Sequence, residues 1–227
     1  GIHLPFALKP IDSNLACQPR SVNSGPLSVG FNSIVMKLGP EFMEFLSQIS
    51  WPENCKFNFF PAELGGRQLL SSNLIKRFFP TAQVHPVVEY EVFMQQLASQ
   101  DVTICTFPFG NSNGMLDCLR LGLPTFVLKG KDVCSGPEYE LLSACGLQDF
   151  IFPDKIELKK ALETFLFDTD WRLQKQTQFR KIARDYISTN NIQQALDYEL
   201  ETMSSWFQSS IQDFKSNRAC SELEYQD

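Results

Sequence analysis

Residues 102–130 read VTICTFPFGNSNGMLDCLRLGLPTFVLKG. A β-branched apolar run, VTICTFP at 102–108, reads as a buried strand. Then Gly110-Asn111-Ser112-Asn113-Gly114 places five small or polar residues in a row. A helix after Gly114, running to about Leu121, precedes a second strand, TFVLKG at 125–130. Strand, turn, helix and strand with connections this short make a parallel β-α-β unit. A plain strand-to-helix turn needs one glycine. Two glycines and two asparagines imply that something approaches the backbone closely.

The same alternation extends on both sides. Toward the N-terminus, PLSVGFNSIVMKL ends a β-branched run near Lys37. Gly39-Pro40 follows, and Pro40 suits a first helical turn. Phe42, Phe45, Leu46 and Ile49 then fall on one helical face. KFNFFP (56–61) reads as a strand, GRQLLSSNLIKRFF (66–79) as a helix, TAQVHP (81–86) as a short strand and EYEVFMQQLAS (89–99) as a helix. Beyond residue 130, PEYELLSACG (137–146) reads as a helix and DFIFP (149–153) as a last short strand. KIELKKALETFLF and two helical stretches, about 170–188 and 191–214, complete the chain.

Such a pattern predicts an α/β fold: a Rossmann-like parallel sheet with helices on both faces, followed by C-terminal helices. The expected organisation is a leader or connecting segment at 1–26 and the sheet domain at 27–168. C-terminal helices at 169–215 and a polar, frayed tail at 216–227 follow. Ligands of such sheets bind beyond the carboxyl ends of the strands, at a switch point. The loops to inspect are those near Lys37, Pro61–Gly66, Pro86–Tyr90, Phe109–Asp117 and Gly130–Pro137.

Composition sets the outer limits. The 227 residues are 43% hydrophobic, enough for a real core, and twenty phenylalanines predict an aromatic-rich one. The net charge of -6, with dispersed Lys and Arg, argues against a nucleic-acid partner. Seven cysteines, at 17, 55, 105, 118, 134, 145 and 220, form no CxxC pair and read as buried thiols. Two histidines, His3 and His85, make structural zinc implausible. No apolar stretch approaches the length of a membrane span, and no signal peptide is visible. The chain begins with Gly1 rather than Met, so the expectation is that an N-terminal portion is missing.

The GNSNG turn lies where exposed amides and a positive helix end favour a phosphate, an effect of ~0.3–1 kcal/mol at an exposed end. Gly110, Asn111, Ser112, Asn113 and Gly114 are the candidate cradle. Asp117 could accept from a ribose diol. Lys37 could share the crevice, neutralise a diphosphate and help a leaving nucleotide depart. The alternative is equally open on spacing alone: a plain turn, with Asn113 as helix cap and Asp117 as a dipole partner. His85, Phe42, Phe45, Phe78 and Phe79 read as structural, and Cys134 has no local histidine to activate it.

FPFGNSNGMLDCLRLGLPTFVLKG, together with SIVMKLGPEFMEFLSQI, closely resembles a known family over about residues 27–153. The family is the bacterial cytoplasmic protein N-glucosyltransferases that modify adhesins, relatives of O-GlcNAc transferase with the GT-B fold. The resemblance implies a UDP-sugar donor such as UDP-glucose, a polypeptide acceptor, a cytoplasmic setting and no metal cofactor. It implies that Lys37 contacts the donor diphosphate, that Asn113 is the loop asparagine and that Asp117 holds the ribose. It also implies a separate N-terminal half, for which this chain has no room. Two departures bear on activity. The family has a histidine two residues after the position of His85, where this chain has Val87. The family's histidine- and acid-rich loop reads KDVCSGPEYE here. Three readings follow: a donor-binding domain, a degenerate non-catalytic assembly module, and a UDP-sugar epimerase of similar fold.

Overall fold

The computed structural model describes residues 25–130 and 136–189, together with 201, 204, 205 and 207–209. The segment 1–24, the 131–135 stretch with Cys134, most of the 191–214 helix and the 216–227 tail lie outside the described residues. The sheet and its helices form a compact unit ending at Tyr186.

Six parallel strands build the sheet: β1 (Ser28–Phe31), β2 (Lys56–Phe59), β3 (Gln83–Val84), β4 (Val102–Ile104), β5 (Thr125–Leu128) and β6 (Ile151–Phe152). Their spatial order is β3-β2-β1-β4-β5-β6. Helices α1 (Pro40–Ser47), α2 (Gly66–Phe78), α3 (Tyr90–Ala98), α4 (Ser112–Leu121), α5 (Gly136–Ala144), α6 (Lys155–Phe167) and α7 (Thr169–Thr189) follow in chain order. The Rossmann-like parallel fold expected from the sequence is present. The strands are shorter than their apolar runs, because each run also supplies buried loop residues such as Phe60, Cys105 and Phe107.

The core is aromatic on both sides of the switch. Phe31 stacks on Phe59 with ring centroids 4.3 Å apart and meets Phe42 edge-on at 6.3 Å. On the β5 side Phe126 touches Phe150 at 5.7 Å and Phe165 at 5.5 Å. Offset and edge-on rings add roughly 0.5–1.5 kcal/mol per pair beyond area burial. Phe42, Phe45 and Phe79 are core residues as expected, but Phe78 is not: it is 38% exposed at the end of α2. The free thiols of Cys55, Cys105, Cys118 and Cys145 are buried. Burial raises all four, to about 12 for Cys105 and about 11 for Cys118, so they pack as small apolar groups.

Helix ends follow local chemistry. Pro40 opens α1 after Gly39. Asp154 caps α6 by accepting from the amides of Ile156 and Glu157, both at 2.9 Å. Gly122 closes α4 with φ +67°, and Leu123 N donates back to Cys118 O at 2.9 Å. The LGLP stretch is therefore a left-handed helix stop feeding straight into β5.

Candidate functional site

Strand order reverses between β1 and β4, and the crevice there opens beyond the carboxyl ends of four strands. A cleft of about 340 Å³ occupies it, within the range of small-molecule sites. The β1 loop contributes Asn32, Ile34 and Lys37; the β2 loop contributes Phe60 and Ala62. The β3 loop and α3 give Pro86, Val87, Val88 and Phe93, and the start of α4 gives Asn111, Asn113, Gly114 and Asp117. Ala62, the only non-glycine residue with positive φ (54°) among the described residues, sits in this lining. Strained backbone of that kind concentrates at ligand sites.

Helix α4 begins at Ser112, three residues earlier than the sequence predicts. Asn111, not Asn113, holds the cap position. Its side chain does not cap. Instead Asn111 Nδ2 donates to Asn32 O at 2.8 Å, and Asn32 Nδ2 donates to Gly114 O at 2.9 Å. This reciprocal pair ties the β1 loop to the first turn of α4. The cap residue's side chain takes none of the first-turn amides, which suits this helix end to an anion.

The glycines have an internal reason. A Cβ at Gly114 would lie within van der Waals overlap of the Asn111 and Asn32 amide nitrogens. One at Gly110 would collide with the carboxylate of Glu138. What approaches the loop backbone in this chain is thus the protein's own side chains. Glu138, on α5, is 1% exposed. Its Oε1 accepts from Ser112 Oγ at 2.8 Å, and its Oε2 has no hydrogen-bond partner among the described residues.

Lys37 lies at the end of a single 3-10 turn, Val35–Lys37, rather than at the end of the first strand. The strand stops at Phe31, and the intervening turn brings the lysine over the β4–α4 loop. Its Nζ donates to Gly110 O at 2.5 Å. Two further ammonium hydrogens are left for other acceptors.

Asp117 lies in the second turn of α4 and faces the cleft. Tyr90, the first residue of α3, donates its hydroxyl to Asp117 Oδ1 at 2.5 Å. Arg120 Nη1 donates to the same hydroxyl at 2.8 Å and stands 4.0 Å from Oδ1. Burial raises the Asp117 carboxyl above its ordinary value, while Tyr90 and Arg120 pull it back down. Burial and the adjacent carboxylate push the Tyr90 phenol up to about 12. His85 is structural, as expected. Its ring stacks on Phe60 at 4.4 Å and Nε2 faces Asn58 Oδ1 at 2.9 Å. Burial lowers its pKa.

Of the seven residues expected from the sequence, Lys37, Asn111, Asn113, Gly114 and Asp117 share one cleft. Gly110 is buried behind Glu138, and the Ser112 hydroxyl turns toward Glu138. Sequence reasoning missed Asn32, Tyr90, Arg120 and Glu138. Asn32 was findable, since it follows the first strand directly. Glu138 carried no signal: in PEYELL it reads as an ordinary first-turn acid. Among the described residues no group of three His, Cys, Asp or Glu is placed to hold a metal ion, and no helix is long and apolar enough to cross a membrane.

Similarity to known proteins agrees with this geometry. No family model matches the chain. Over 198 residues it is 29% identical to the UDP-glucose:protein N-beta-glucosyltransferase of Actinobacillus pleuropneumoniae serotype 5b, covering 83% of this chain and 30% of that protein. The serotype 7 protein matches equally. The chain resembles the protein N-glucosyltransferases. It spans about 30% of the length of these curated relatives. A mutant O-GlcNAc transferase of Thermobaculum terrenum superposes with a TM-score of 0.70 at 16% identity, covering 87% of this chain and 38% of that one. HepE of Anabaena, solved in complex with UDP and glucose, superposes with a TM-score of 0.59 at 17% identity, covering 86% and 55%. At such identities these structures speak for the fold, a Rossmann-like half of the GT-B type.

Proposed function

We propose that this chain is the UDP-sugar-binding domain of a cytoplasmic glycosyltransferase that passes a hexose, glucose or a relative of it, to a protein side chain. The observation that supports this is one cleft at the switch point lined by Lys37, Asn111, Asn113, Gly114 and Asp117. In this reading Lys37 and the open amides of α4 take the diphosphate, and Asp117 takes the ribose. As the bond between the sugar's anomeric carbon and the diphosphate oxygen breaks, charge grows on that oxygen. The lysine and the helix end stabilise it without a metal ion. The acceptor and the group that deprotonates it belong to a separate N-terminal half, and the cleft residues of this chain act by positioning.

A second reading, a non-catalytic binding or assembly module of the same fold, draws on Val87. That residue lies in the cleft lining, 45% exposed, where the resembled family has a histidine. Calorimetric titration with UDP and UDP-glucose separates the two. The donor domain should bind saturably, and Lys37→Ala and Asp117→Ala should each weaken binding about tenfold or more, the ~1.4 kcal/mol or greater of a charge-assisted hydrogen bond. Absence of saturation from a folded sample, with or without an N-terminal half supplied in trans, would favour the module.

A further inference from the structure

Asp117 is not a lone carboxylate on a helix. Tyr90 Oη has a single proton, and Arg120 Nη1 can only donate to it. With Arg120 donating at 2.8 Å, the tyrosine proton has one destination, Asp117 Oδ1 at 2.5 Å. The direction of the chain Arg120, Tyr90, Asp117 is therefore fixed. At 4.0 Å the guanidinium nitrogen is too far from Oδ1 for a direct hydrogen bond, so it acts on the carboxylate as a through-space charge and as the donor that orients the phenol. Oδ1 accepts from Tyr90, and no hydrogen bond among the described residues engages Oδ2. Because Asp117 lines the cleft, Oδ2 is the acceptor left for a ligand.

The placement is a property of the fold. Helix α3 enters from β3 and α4 enters from β4, so both begin at the carboxyl edge of the sheet. Tyr90, at the first position of α3, stands beside the second turn of α4. Its ring is about half exposed, so packing alone does not account for its position.

We propose that Tyr90 is a positioning and specificity-determining residue: it holds the Asp117 carboxylate in one rotamer so that Oδ2 reads a ribose hydroxyl. The proposal rests on the reading that Asp117 takes the ribose. A locked acceptor discriminates between a ribonucleotide and its deoxy analogue, because the geometry is set before the ligand arrives. A free carboxylate can turn to water and loses little when the hydroxyl is absent.

The test is a set of calorimetric titrations with UDP, 2′-deoxy-UDP and 3′-deoxy-UDP. Wild type, Tyr90→Phe and Asp117→Asn are compared, with thermal melts to establish folding. The wild type should prefer UDP over at least one deoxy analogue about tenfold. Tyr90→Phe, with an unchanged melt, should reduce that preference to about threefold or less while still binding the diphosphate. A merely structural tyrosine would weaken all three ligands alike and leave the ratio unmoved. A Tyr90→Phe protein that keeps the wild-type ratio overturns the proposal and leaves the ribose role of Asp117 intact. A wild type with no preference overturns both.

Discussion

The α4 wall of the cleft and the α2 region beside the cleft are built differently. On the α4 side almost every polar group is tied to another: Lys37 to Gly110, Asn111 to Asn32, Ser112 to Glu138, Asp117 to Tyr90. On the β2 side the chain presents apolar side chains to solvent. Leu64 is 71% exposed, Leu70 is 70% and Leu69 is 65%, and α2 buries only Ser71 and Ile75. The α4 wall holds charge in place before a ligand arrives, which suits binding of a phosphate with little reorganisation. The α2 region carries neither fixed charges nor much packing. The contrast separates what the fold must keep from what it can vary.

The sharpest way to break the rigid wall is Gly110→Ala. The new methyl would meet a carboxylate that is 1% exposed. We expect a loss of about 2–3 kcal/mol, the cost of overpacking a closed site. That is a fall in Tm of roughly 5–10 °C for a domain of this size. Glu138→Ala removes the obstacle. In the double variant the Gly110→Ala cost should fall below about 1 kcal/mol, as expected when two changes share one contact. Equal costs in both backgrounds would show that the glycine is needed for some other reason.

That pair also marks the limit of what the sequence makes legible. The β-α alternation, the parallel sheet and the stretch from Phe107 to Gly130 follow from periodicity and turn chemistry, because those signals are local. The cleft residues Lys37, Asn113 and Asp117 were found because they follow strands, and strand ends gather at one edge. Gly110 was found for an incomplete reason. A glycine in a loop says that something is close, but the partner, Glu138, comes from a helix 28 residues further along, after another strand. The same holds for Tyr90 and Asp117, which meet only because α3 and α4 begin at the same edge. The cap assignment failed differently. Asn111 and Asn113 are equally good caps locally, and the tertiary bond from Asn111 to Asn32 decides which one begins the helix.

A gentler perturbation of the rigid wall is pH. Burial raises the Asp117 carboxyl above its ordinary value of 3.8. The ionised form is thus disfavoured in the folded chain relative to the unfolded one. Its contribution to stability is unfavourable above the raised value and vanishes as pH falls below 3.8. Ligand binding has the opposite sign, because only the carboxylate accepts two hydrogen bonds. Affinity for UDP-glucose should be constant near neutral pH and decline on acidification, starting at a pH above 3.8. Titrations at stepped pH check this, since the donor's own diphosphate does not change protonation in that window. In Asp117→Asn the decline should disappear.

The smallest effect belongs to the α2 region. Leu70 is 70% exposed, so Leu70→Gln removes little buried area. Within this chain the change should shift stability by no more than about 0.5 kcal/mol in either direction. Glutamine is also as good a helix former as leucine to within a few tenths of a kcal/mol, so the backbone has no reason to object. UDP affinity should be unchanged, since Leu70 lies outside the cleft lining. A stability loss well above that bound would mean that α2 is packed against something in solution. A changed UDP affinity would mean that the α4 wall and the α2 region are coupled, and the contrast between a fixed and an idle side would then fail.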